Sequence, residues 1–374
     1  MPPGAVAGAG LLALALAMGI GRFAFTPLLP MMQEDAGVTL PQGGYLAAAN
    51  YVGYLIGALL AARPAAAHVA IRGALIAISL ATLAMGLVHG LVLWTLLRAL
   101  AGIGSAFALV HVSSWCLQQL APARKPLLGA SVFSGVGFGI VLAGGLCLAL
   151  MRLHASSAQA WIALGVLSAA ITALVWPVFA RAGVYETQTR ARQHWTADSL
   201  RLVLCYGAFG FAYIIPATYV PLMAKQVIAD PAVFGWAWPV FGAAALASTL
   251  IAGSLLRAAG ERGLWAIAAL AMAAGVAAPA VAPGLAGILA AALLVGGTFM
   301  VITMAAMQEA RRVAGAHAAP LMAAMTASFA AGQIAGPLVV SYFVHTQAGL
   351  ETALAFAAAL VALSAIALVR KEKS

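Results

Sequence analysis

Arg22 stands in the run Gly19-Ile20-Gly21-Arg22-Phe23-Ala24-Phe25-Thr26-Pro27, inside a long apolar stretch. An Arg at the centre of a membrane helix costs about 2.5–3.5 kcal/mol even on the lenient insertion scale, so it needs a partner or a cavity. Its guanidinium offers five donors in a fork that fits a carboxylate or a phosphate. In a regular α-helix Thr26 falls one turn on, on the same face, and Phe23 and Phe25 flank the cation. One reading makes Arg22 the ligand of an anionic substrate group, with a hydrogen bond added by Thr26 and a pocket shaped by Phe25 and Phe23. The other makes it structural, capping carbonyls freed by Pro27 and Pro30 or tying its helix to a neighbour.

Further polar residues lie inside apolar runs. Arg98 precedes Gly102 and Ser105 on one helix face, which fits either gating of a cavity or an interhelical tie where small residues let helices approach. His111 is the one His well inside an apolar run, with Ser114 and Gln118 on its stripe; it reads as a proton carrier near neutral pH or as a satisfied core residue. Asn50 and Tyr54, one turn apart, together with Tyr213, Thr218 and Gln333, are candidates to line a cavity. Trp236 and Trp238 read as a belt at the membrane interface. Gly135, Gly137, Gly139, Gly144 and Gly145 crowd one run. No strand or Lys accompanies them, so they read as a helix-packing surface and not as a phosphate loop.

The elements that must carry these residues are membrane helices. Of 374 residues, 64% are hydrophobic and 7% charged, against about 45–50% and about 25% in soluble domains. That excludes a soluble enzyme, a disordered chain or a secreted disulfide scaffold. Three cysteines, Cys116, Cys147 and Cys205, sit apart in apolar runs and suit neither disulfides nor a metal site. The net charge of +10 is scattered in ones and twos, with no basic stripe for nucleic acid. A span needs about 20 apolar residues. Twelve are predicted, over 5–31, 42–62, 69–89, 91–118, 127–150, 160–180, 201–224, 234–257, 263–282, 285–308, 319–344 and 350–369. The first reads as a helix and not a signal peptide, because no Lys or Arg precedes it. With both termini inside, 15 of the 19 Lys and Arg fall in inner loops and the C-terminus, 2 in outer loops and 2 within helices, which is the positive-inside pattern.

The chain divides into 1–180, a polar cytoplasmic linker 181–200, and 201–374. The halves repeat: Gly21-Arg22-Phe23-Ala24 answers Gly210-Phe211-Ala212-Tyr213, and Gly57-Ala58-Leu59-Leu60 answers Gly253-Ser254-Leu255-Leu256. Such repeats build secondary transporters with the substrate site between them at mid-membrane.

Arg98-x-x-x-Gly102-x-Gly104-Ser105-Ala106 resembles the fourth-helix motif of the major facilitator superfamily, with Ala101 where Gln is often found. The loop motif after the second helix is poorly kept: Gly57 and Leu59 match, while Ala61 and Pro64 replace its Asp and second Gly. Its copy after the eighth helix keeps Gly253, Leu255, Gly260 and Arg262, with Arg257 at the Asp position. Gly19-Ile20-Gly21-Arg22-Phe23-Ala24-Phe25-Thr26-Pro27-Leu28-Leu29-Pro30, Ala49-Asn50-Tyr51-x-Gly53-Tyr54-x-x-Gly57, Gly135-Val136-Gly137-x-Gly139-Ile140 and Tyr213-x-x-Pro216-x-Thr218-x-x-Pro221 are similar to the YbfB/YjiJ branch. The resemblance implies an all-α fold of two six-helix bundles and a bacterial inner-membrane transporter, without fixing a substrate.

The expectation is a secondary transporter that moves a small organic solute, an organic anion such as a carboxylate, by alternating access. Arg22, Phe25, Thr26, Asn50, Tyr54, Tyr213, Thr218 and Gln333 are expected to bind it; Arg98, His111, Arg257 and Arg262 are the residues for gating or coupling. The coupling species is a proton or an exchanged anion. Efflux of hydrophobic or drug-like compounds is the alternative, followed by a non-transporting sensor or a lipid-moving protein. No cofactor, metal or enzyme activity is expected.

Overall fold

The computed structural model describes the chain except residues 64, 181–194, 228–230, 283, 316–317, 346–348 and 370–374; the side chains of residues 40, 218–235, 237, 256–257 and 341–345 also lie outside the description. The predicted linker therefore falls largely outside the described residues, as do the side chains of Thr218 and Arg257.

Among the described residues, twelve helices are long and apolar enough to cross a membrane. The first half holds α1 (Pro3–Asp35), α2 (Leu40–Ala61), α3 (Ala67–Leu87), α4 (Leu91–Leu120), α5 (Pro126–Arg152) and α6 (Ser157–Ala180). The second holds α7 (Ala197–Val227), α8 (Trp238–Leu255), α9 (Ala258–Val281), α10 (Leu285–Ala314), α11 (Ala318–His345) and α12 (Gly349–Val369). Twelve crossings return both ends to one face of the bundle, here termed the terminal face. α8 and α9 belong to one helical run in which the chain turns at Gly260 (φ 66°, ψ 170°), a conformation open only to glycine. Thr39 and Gln42 form a capping box at the start of α2.

α1 is not a uniform α-helix. Pro3–Leu14 and Phe25–Asp35 are α-helical, and Ala15–Phe23 between them is wound as a π-helix. Pro27 has no N–H, so a donor is missing for the carbonyls one turn before it. Wide turns of this kind concentrate at functional sites.

Glycines set the helix spacing. A Cβ on Gly135 would lie 2.8 Å from Leu11 Cα, and one on Gly139 would lie 2.8 Å from Ala15 Cα, so one side of α5 presses on α1. The other side faces the second half: a Cβ on Gly137 would meet Gly242 O at 2.7 Å and Leu246 Cα at 2.8 Å of α8. The run read as a packing surface thus packs two ways, within its half and across to the other. The second half repeats the first contact, since Gly332 of α11 presses on Gly207 and Phe211 of α7. α2 and α11 form the other seam between the halves.

The small side chains at the α5–α8 seam are expected to be indispensable for movement. Gly137→Val is expected to fold but to lose most flux in proteoliposomes, because overpacking there costs about 1–3 kcal/mol on the seam itself. Gly145→Val, at a position with no atom within 4 Å of its Cβ, is the control and should transport normally. Equal flux in both variants refutes the expectation.

Candidate functional site

Arg22 is the last residue but one of the π-helical segment and is 4% exposed. Its guanidinium carbon lies 4.2 Å from the ring centroid of Tyr54, 5.5 Å from Tyr51, 5.6 Å from Phe23 and 5.7 Å from Phe329. Desolvated cation–π contacts of this kind are worth about 2 kcal/mol or more. Nη2 donates to Gln333 Oε1 on α11. The cation of the first half is therefore held by an amide and a ring of the second. Nε and Nη1 of Arg22 and Nε2 of Gln333 are buried without partners, as is the acceptor Asn50 Oδ1. Among the described residues no carboxylate lies within ion-pair distance of Arg22 or Arg98. A buried polar group left unpaired costs about 1–3 kcal/mol, so this cluster of orphaned donors is a demand for an acceptor.

Arg98 does the structural work that the sequence leaves open for Arg22. Its Nη1 and Nη2 donate to the carbonyls of Gly21 (3.3 Å) and Arg22 (3.4 Å), and its guanidinium carbon lies 4.6 Å from the Phe25 ring centroid. Asn50 Nδ2 donates to Gly21 O (3.4 Å) and Arg98 O (3.0 Å), and Ser105 Oγ donates to Ala17 O (2.6 Å). Three side chains from α2 and α4 thus satisfy the backbone of the π-helical segment. Phe25 touches Arg98 and not the cage around Arg22.

The structure does not bring every expected residue together. Thr26 is exposed. The winding changes from π to α between Phe23 and Phe25, so Arg22 and Thr26 lie on either side of a junction and do not share the face expected from unbroken α-helical spacing. Tyr213 is 2% exposed and sits behind the cage, stacked on Phe299 (5.3 Å) and Phe329 (6.2 Å). His111 is buried beside Phe107 (centroids 5.5 Å) with Nε2 unpartnered. It lies thirteen residues beyond Arg98, about 20 Å along α4 at 1.5 Å per residue, well away from the cage. Trp236 is exposed, as a belt residue should be. Trp238 is not: it stacks on Phe241 (5.2 Å) and reaches Phe23 (6.3 Å) across the halves. Phe23, Phe299, Phe329, Phe241 and Trp238 wall the site. Apart from Phe23 and Trp238, sequence reasoning passed over them because aromatic residues in an apolar run carry no polar signal.

Arg262, read as a gating residue, joins a network at the terminal face. It binds Asp198 of α7 and Glu309 of α10, and Arg312 donates to Glu309 at 2.7 Å through both Nε and Nη2. Glu309 is wholly buried. These partners all belong to the second half, so the network clasps one bundle and does not cross between bundles. Glu309 was visible in the sequence only as an acid near a helix end.

The match to a family model covers residues 14–369, and that model is described as an uncharacterised MFS-type transporter, YbfB. The chain belongs to this family of major facilitator transporters. No curated protein matches it. Among solved structures it is similar to the major facilitator transporter FucP in the outward conformation, at 15% identity over 98% of each chain with a TM-score of 0.77. The human organic anion transporter MFSD10 is similar at 14% identity, covering 98% of this chain and 100% of that one, with a TM-score of 0.73. The proton:xylose symporter XylE, bound to 6-bromo-6-deoxy-D-glucose, matches at 15% identity over 97% of this chain and 94% of its own, with a TM-score of 0.77. At these identities the solved structures establish the fold. The twelve helices of this family member are thus the two six-helix bundles of a major facilitator transporter.

Proposed function

We propose that this transporter moves a small organic anion, with a carboxylate or similar group bound at Arg22. The observation that carries the reading is the set of buried, unpartnered donors, Arg22 Nε and Nη1 with Gln333 Nε2, in a site without a counter-charge among the described residues. The aromatic rings around them suit a flat or apolar body behind the anionic group. The site is shared between α1 and α2 of one half and α11 of the other, which fits binding between repeats and alternating access by rocking one bundle against the other. Coupling is by exchange of anions or by a proton carried with the substrate or through His111. The Lys and Arg bias of the loops supports a cytoplasmic terminal face, and the family resemblance supports a bacterial inner membrane.

The test is thermal denaturation of purified protein with a panel of small carboxylates, neutral solutes and lipophilic cations, for wild type and Arg22→Gln. A ligand at a hundred times its Kd adds about 2.7 kcal/mol to the native state. Carboxylates are expected to stabilise wild type and not the variant. Equal stabilisation of both removes Arg22 from the site, and stabilisation by lipophilic compounds alone replaces the anion reading with efflux.

A further inference from the structure

At the terminal face a cavity of about 440 Å³ lies between the halves, far from the Arg22 cage. The first half lines it with Arg124, Lys125 and the opening turn of α5; the second contributes Glu261, Arg311 and Arg312. Arg312 is already paired with the buried Glu309 and lies 4.0 Å from Glu261, so the open positive charge of the recess comes from the first half. Among the described residues, neither Arg124 nor Lys125 has a carboxylate partner. Both side chains are exposed, and the turn presents them to the cavity: Ala121–Ala123 closes α4, Arg124 takes a left-handed conformation (φ 51°), and Pro126 starts α5 directly afterwards. No side chain caps that first turn, so its N–H groups add positive potential at the cavity wall. Gln308 lies against Gly129 beside it.

Cations concentrated in a recess with low-dielectric walls focus their field and gather counter-ions. Basic pockets between membrane helices take phosphate-bearing headgroups in this way. Carboxylate recognition by one fork, as at Arg22, needs one or two donors; two adjacent cations beside an uncapped helix N-terminus match a group with more charge.

We infer that this cavity is a second anion site, built for a phosphate group and contributed to by both halves. The phosphate comes from an anionic lipid headgroup or from a soluble phosphate. The inference does not rest on the substrate reading of Arg22, because no residue is shared between the two sites.

The experiment measures thermal stabilisation of the full chain in nanodiscs, for wild type, Arg124→Gln/Lys125→Gln, Lys125→Gln alone and Arg22→Gln. One arm titrates inorganic phosphate in phosphatidylcholine discs. The other raises the phosphatidylglycerol content with no phosphate present. Each surface cation is worth about fivefold in affinity for such a group. Binding should weaken about thirtyfold in the double variant and about fivefold in Lys125→Gln, which leaves the left-handed residue intact; Arg22→Gln should bind as wild type does. Stabilisation by inorganic phosphate identifies a soluble source, and stabilisation by phosphatidylglycerol alone identifies a lipid headgroup. No stabilisation in either arm overturns the inference. So does an effect that survives the double variant, or one that disappears with Arg22→Gln, since that places the anion at the central site. Equal carboxylate stabilisation of wild type and Arg22→Gln, with the phosphate response intact, sinks only the substrate reading.

Discussion

Arg22→Gln is expected to lower uptake of a small carboxylate into proteoliposomes about 30- to 4000-fold while leaving the melting temperature unchanged or raised. The flux loss follows from removing one partner of a buried charge contact, which costs about 2–5 kcal/mol, at about 1.4 kcal/mol per factor of ten. The stability change has the opposite sign for a physical reason. Arg22 is 4% exposed, has no carboxylate partner among the described residues and leaves two of its three nitrogens unpaired. A desolvated cation in that state is a cost to the folded protein that an anionic ligand removes. Neutralising it relieves the cost, as function-bearing residues often allow. Cation–π contact with Tyr54 and the bond to Gln333 offset part of the gain, which is why the expectation spans unchanged to raised. A structural tie behaves in the reverse way: its removal lowers the melting temperature and flux falls only in proportion to folded protein. Measuring flux and melting on the same preparations separates the two. Arg98→Gln supplies the contrast, since that side chain satisfies two carbonyls of the π-helical segment; its loss should lower the melting temperature and disturb binding at Arg22 only through α1.

The second large effect is expected at the opposite kind of site, a buried acid between cations. Glu309 is wholly buried and receives Arg262 from α9 and Arg312 from its own helix, while Arg262 also holds Asp198 of α7. Glu309→Gln leaves the Arg262 guanidinium partly buried with one acid in place of two. Breaking a buried pair on one side costs about 3–5 kcal/mol, here weighed toward the lower figure because Arg312 remains hydrated. A clear drop in melting temperature is expected, with Arg262→Met/Glu309→Gln recovering part of it, because removing both partners leaves less uncompensated charge. The double-mutant cycle reads the coupling directly. A single variant as stable as wild type would show that water already serves Arg262. Since the clasp joins α7, α9 and α10 within the second half, the loss should appear in stability before it appears in transport rate.

The sequence alone determined the membrane class, the twelve spans, the repeat and the presence of a cation that needed a reason to be buried. Each follows from a one-dimensional quantity: run length against bilayer thickness, loop charge, and the cost of a lone guanidinium among apolar residues. The predicted span of the first helix, 5–31, falls inside Pro3–Asp35. Faces are a different matter. In a water-soluble helix the polar side marks the outside, but lipid is as apolar as a protein core, so hydropathy does not tell which side of a membrane helix meets a neighbour. Tertiary structure therefore decided that Arg98 ties the backbone while Arg22 looks into the site. Only folding could bring Gln333 to Arg22, from 311 residues away. Trp238 turned inward beside Phe23 while Trp236 stayed out. Thr26 is exposed because the change from π to α winding after Phe23 interrupts the spacing on which its placement rested. The chain's composition put it in a membrane; the packing of α1, α2 and α11 decided which of its few polar atoms were buried without a partner.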